Sequence, residues 1–109
     1  TMQYFIIYVT APNEDEAARI ARSLVEERLA ACINMTRVRS IYRWRGKVED
    51  EGEVLMIIKT TEARLRDLIK RVKEIHPYEV PEILAVPIAA GNEDYLKWMS
   101  DETSGDSQQ

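Results

Sequence analysis

The segment His76-Pro77-Tyr78-Glu79-Val80-Pro81-Glu82 holds the single histidine of the chain and two of its four prolines. Imidazole and carboxylate are ligands for divalent metals, so His76, Glu79 and Glu82 are candidate metal-binding groups, with the one thiol, Cys32, as a fourth. A stable zinc or copper site needs about three or four ligands of defined geometry, and spacing alone does not bring these together. The segment has a second reading. Pro77 and Pro81 fix φ, which makes a stiff connector holding Tyr78 and Glu79 in place, and His76 at a helix end can cap carbonyls or bond a carboxylate. Cys32 likewise reads as a small core residue or as a ligand.

Other residues suggest other chemistry. Arg37, Arg39, Arg43, Arg45 and Lys47 recur at a spacing of two, with Val38, Tyr42, Trp44 and Val48 on the opposite side. Such a ribbon could set arginines on phosphates and stack bases on Trp44 or Tyr42. In the alternative, the acids of 49–53, "EDEGE", fold back as cross-strand partners and Trp44 packs on a neighbouring subunit. The net charge of −4 favours the alternative, and no nucleic-acid partner is expected. Lys59 interrupts an apolar strand, where a lysine snorkels or meets a carboxylate or an anionic ligand. Tyr42, Trp44, Lys59 and Tyr78 are therefore the candidate cleft or interface residues. An enzyme is not expected. One histidine leaves no nucleophile and base pair, and "TAPNEDEA" after the first strand lacks the glycines and arginine of a phosphate loop.

These groups must be positioned by a small set of elements. Residues 3–10 are β-branched and aromatic and read as a strand. Asn13 is a good N-cap, with Glu16 three residues on, for a helix running to about Ala30. Residues 32–44 and 53–60 read as two strands of a long hairpin turning at Gly46. Leu65, Leu68, Ile69, Val72 and Ile75 give a second helix closed by Pro77. Residues 82–88 form the last strand and 92–99 a short helix capped by Asn92. The order β-α-β-β-α-β predicts an α+β, ferredoxin-like sandwich: a four-stranded antiparallel sheet, both long helices on one face, and an extra C-terminal helix. The runs "YFIIYV", "VLMII" and "ILAV" are apolar at consecutive positions, so both sheet faces call for burial. Two helices cover one face, and another copy of the chain is the simplest cover for the other.

Composition sets the bounds. The 109 residues fit one domain over 1–99, with the polar stretch 100–109 read as a flexible tail. The 45% hydrophobic content can build a core, though a domain this small buries only about two thirds of its unfolded surface. One cysteine permits no intrachain disulfide, and a reducing cytoplasm is the default. The apolar run at residues 4–9 is far short of the roughly 20 residues needed to span a bilayer, so no membrane association is expected.

The blocks "AACINM" at 30–35, "SIYRWRGKVED" at 40–50, "EVLMIIKTT" at 53–61, "HPYEVPEI" at 76–83 and "YLKW" at 95–98 resemble the CutA family of divalent-cation tolerance proteins, from about residue 4 to residue 98. That resemblance implies a ferredoxin-like fold, a tight homotrimer and no established enzymatic reaction. It also implies an association with tolerance to copper and other divalent cations and, in some members, with anchoring other proteins. Two positions depart from the copper-associated pattern, because Val9 and Ile75 stand where some members carry a cysteine and a second histidine. Only His76 and Cys32 carry over. No cofactor is obligatory on this reading, and a weak Cu(II) or other divalent-cation contact is expected. A small-ligand-binding trimer like the PII signalling proteins and a protein-anchoring scaffold remain the alternatives.

Overall fold

The computed structural model describes residues 2–104. Its elements run β1 (Tyr4–Ala11), α1 (Glu14–Glu26), β2 (Cys32–Trp44), β3 (Lys47–Thr61), α2 (Glu62–Ile75), β4 (Ile83–Pro87) and α3 (Glu93–Glu102). The strands lie in the order β2-β3-β1-β4 and every neighbouring pair is antiparallel. This is the expected α+β sandwich.

Alternation along the strands divides the sheet into two faces. One face carries Ile7 and Val9 from β1 and Met56 and Ile58 from β3, all fully buried against Ile20 and Leu24 of α1 and Leu68 and Val72 of α2. Asn13 caps α1 as expected, its Oδ1 accepting the Glu16 N–H at 2.8 Å. The opposite face presents Ile6, Tyr8, Leu55 and Ile57, with Leu84 and Val86 from β4 in the same cross-strand rows. Helix α3 covers one end of it. Met99 is fully buried there, and Tyr4 Oη lies 2.9 Å from Ser100 Oγ. Leu84 and Val86, away from that end, remain 57% and 45% exposed.

Three boundaries differ from the sequence reading. Helix α1 ends at Glu26 rather than near Ala30, because Arg28 adopts a left-handed φ of 62° and turns the chain toward β2. Strand β3 begins at Lys47, so the acidic run 49–53 is ladder rather than an approach to it. The tail does not begin at residue 100. Ser100, Asp101 and Glu102 complete α3, and buried Thr103 bonds back to the Met99 carbonyl at 2.8 Å and sits 3.4 Å from Thr61 Oγ1. Polar residues continue the helix because their backbone and hydroxyls dock on the sheet, which hydropathy does not register. The remainder of the expected tail, 105–109, lies outside the described residues.

Candidate functional site

His76 closes α2, since the residue before a proline avoids helical ψ, and its own backbone is extended at ψ 139°. The side chain turns inward and is only 8% exposed. Its Nε2 lies 2.7 Å from the Thr10 carbonyl, which can only accept, and its Nδ1 lies 3.0 Å from the Tyr78 N–H, which can only donate. These partners select the Nε2–H tautomer and occupy both ring nitrogens. Arg19 tightens the same corner by donating to the Ile75 carbonyl at 2.7 Å.

Tyr78 stacks obliquely on the imidazole, with ring centroids 4.9 Å apart, and donates its hydroxyl to Glu53 Oε2 at 2.7 Å. Burial first, then the bond to Glu53, pushes the Tyr78 phenol well above its ordinary range. Glu79 points the other way, into solvent, and pairs with Arg45 at 3.0 Å. Glu82 is exposed just before β4.

Cys32 is elsewhere. It stands opposite Lys59 on β3, and Lys59 stands opposite Ile6 on β1, whereas His76 reaches β1 at Thr10, four residues along, or about 13 Å away. His76, Glu79, Glu82 and Cys32 are therefore not gathered into one site within a chain. Among the described residues no group of three or more His, Cys, Asp or Glu is placed to hold a metal ion. Cys32 is also only half-buried rather than a core residue. The Lys59 ammonium lies 3.8 Å from its sulfur and bonds Asn34 Oδ1. Burial first, then interaction with the Cys32 thiol, raises the Tyr95 phenol of α3 above its usual range.

The hairpin meets its charges only partly across its own strands. Arg39 grips Asp50 with two bonds of 2.8 and 2.7 Å, but Arg37 pairs with Glu14 of α1 at 2.8 Å and Arg45 with Glu79. Tyr42 donates to Glu51, and this bond, ahead of burial, pushes its phenol up to about 12. Trp44 at the tip is 40% exposed, with the Arg45 guanidinium 5.3 Å from its ring centre.

Sequence reasoning missed Thr10, Glu53 and Tyr95 as partners of these groups. Glu53 had a legible signal, being the acid that abuts the apolar run "VLMII"; a carbonyl and a single tyrosine in a surface helix had none.

Residues 5–102 match the family described as CutA1 divalent ion tolerance protein. The chain belongs to this family. It is 50% identical over 99 residues to the divalent-cation tolerance protein CutA of Thermus thermophilus, covering 90% of this chain and 96% of that one. A CutA homolog from Xenopus laevis is 50% identical over 95 residues, which are 86% of this chain and 63% of the relative, so the chain spans just under two thirds of that protein. The solved structure of a periplasmic divalent cation tolerance protein CutA from Archaeoglobus fulgidus superposes with a TM-score of 0.90 at 39% identity, covering 92% of this chain and 98% of that one.

Proposed function

We propose that the protein works as a non-catalytic homotrimer associated with divalent-cation tolerance, with a weak Cu(II) contact through His76. The observation that carries the assembly is the second sheet face, where Leu84 and Val86 stay exposed in rows continuous with Ile6 and Tyr8. A second copy is the simplest cover for such an apolar face. Trp44, on a hairpin tip, is the natural anchor for the contact. Tolerance to divalent cations comes from the family and from the name carried by the Thermus relative.

Copper binding on this reading is weak for a physical reason. A metal at His76 must displace either the Thr10 carbonyl or the Tyr78 N–H, and a single chain offers no second imidazole. Threefold repetition supplies further ligands near a subunit boundary, with Glu79 and Glu82 the adjacent carboxylates. Catalysis is not part of the proposal, since the only imidazole has both nitrogens engaged and no nucleophile beside it. A reducing cytoplasm, as one cysteine suggests, is the proposed setting.

Sedimentation equilibrium at micromolar protein tests the assembly, and a monomer there would overturn it. Cu(II) calorimetry on the same sample tests the cation contact separately.

A further inference from the structure

Helix α2 turns Leu68 and Val72 into the core and keeps its other side in solvent, in the helical layer and away from the sheet face that a second copy covers. Arg66, Lys70 and Lys73 are exposed there at i, i+4 and i+7, a single stripe spanning about 10 Å of helix. Among the described residues none of the three forms an ion pair. The acids beside them are not their partners: Glu62 and Asp67 form no ion pair either, and Glu74 is taken by Arg71 at 3.3 Å. The helix dipole accounts for Lys73 in the last turn and leaves Arg66 and Lys70 unexplained.

The stripe borders a recess. A groove of about 400 Å³ is lined by Glu62, Leu65, Arg66 and Ile69. Leu65 packs on the core and Ile69 is half-buried, so the two make an apolar floor beside the exposed cations. This shape and charge together select the occupant. A lipid surface calls for apolar side chains that protrude, and none of the large exposed hydrophobic residues lies on α2. A single-stranded nucleic acid calls for aromatic rings on which to stack, and α2 carries none. An aliphatic side chain set on the floor, with carboxylates on either side of it, satisfies groove and cations at once.

We propose that this side of α2 is a docking surface for an acidic peptide segment of another protein, with one aliphatic side chain in the Leu65–Ile69 groove and carboxylates on Arg66, Lys70 and Lys73. Exposed ion pairs contribute little singly, so charge alone gives weak and salt-sensitive contact. The buried aliphatic group supplies the rest and fixes the register of the acids along the stripe. The surface belongs to one chain and is independent of copper at His76. Assembly through the other sheet face leaves it open on every copy.

The test is fluorescence anisotropy of the full chain with a labelled peptide in which leucines alternate with pairs of glutamates, beside the same peptide with serine in place of leucine. The leucine peptide is expected to bind saturably, about tenfold more tightly than the serine peptide. The triple variant Arg66→Ala, Lys70→Ala, Lys73→Ala changes only exposed side chains and should weaken the leucine peptide about tenfold. Ile69→Ala should weaken the leucine peptide and leave the serine peptide unchanged. Sedimentation onto phosphatidylglycerol vesicles tests the lipid alternative. No saturable peptide binding, equal affinity for the two peptides, affinity unchanged in the triple variant, or vesicle binding that the triple variant abolishes would each overturn the assignment.

Discussion

The Tyr78 hydroxyl and the Glu53 carboxylate are joined at 2.7 Å across 25 residues of chain, and this bond fastens the connector after α2 to the middle of β3. Glu53 is only 7% exposed, so the phenol is the group that makes its burial tolerable. With His76 held on Thr10 and Glu79 on Arg45, the 76–82 segment is pinned to β1, β3 and the hairpin turn at once.

Tyr78→Phe keeps the ring against His76 and removes only the hydroxyl. The buried carboxylate then lacks its donor, and unfolding stability should fall by about 1.5–3 kcal/mol, the range for bonds to charged groups. Urea denaturation at fixed protein concentration measures it. A loss of a few tenths would mean that water replaces the phenol at Glu53.

The same tyrosine makes stability depend on alkaline pH. Its folded phenol is raised above the ordinary 10.0, so the unfolded chain ionises first. The stabilisation is fully present below about pH 10 and is lost as pH rises toward the folded value. Tyr42, pushed up to about 12, is a surface phenol and contributes little. Denaturation midpoints should therefore fall above about pH 10 in the native chain and markedly less in Tyr78→Phe.

The strand and helix order could be read from residues because the helices repeat apolar residues at helical spacing while the strands are short β-branched and aromatic runs between turn signals, and β2 matches its expected span of 32–44. The site was less legible. Two prolines around Tyr78 announced rigidity, and rigidity is what His76 and Tyr78 provide, but nothing local shows that an imidazole meets the Thr10 carbonyl 66 residues away. His76 and Cys32 have metal-ligating side chains, which is why they look like ligands together, and only the strand register separates them. The basic ribbon was half legible for the same reason. Arg39 finds Asp50 across the ladder, whereas Glu14 and Glu79, the partners of Arg37 and Arg45, come from other elements.

The hairpin turn carries strain that can be isolated. Arg45 and Gly46 both have positive φ, 51° and 81°, the pattern of a type I′ turn that favours Asn-Gly. Replacing Arg45 by either Asn or Ala removes the Glu79 pair equally, so the difference between them reports backbone alone. Arg45→Asn should be more stable than Arg45→Ala by about 1 kcal/mol, measured by chemical denaturation.

Trp44 tests the assembly from its edge. A large aromatic ring at 40% exposure on a projecting tip gains most by burial in a neighbour. Trp44→Ala should weaken association by about 2 kcal/mol or more, seen as a shift of the sedimentation profile toward smaller species on dilution. An unchanged profile with unchanged melting would place the ring in solvent in the assembled protein.

The cation contact is the last and most demanding test, because His76 must give up a bond to bind. Either ring nitrogen is available only after the Thr10 carbonyl at 2.7 Å or the Tyr78 N–H at 3.0 Å is released. Breaking a buried hydrogen bond and loosening the connector both subtract from the affinity that one imidazole supplies. Cu(II) should therefore bind at about micromolar strength or weaker, ahead of Zn(II) in the general order of affinities. His76→Ala should abolish this binding while sedimentation stays unchanged. A second consequence separates His76 from surface carboxylates: Tyr78→Phe leaves the backbone N–H in place but frees the loop from Glu53, so it should tighten Cu(II) binding rather than weaken it. Binding that survives His76→Ala, or that Tyr78→Phe diminishes, would show that copper is held elsewhere on the chain.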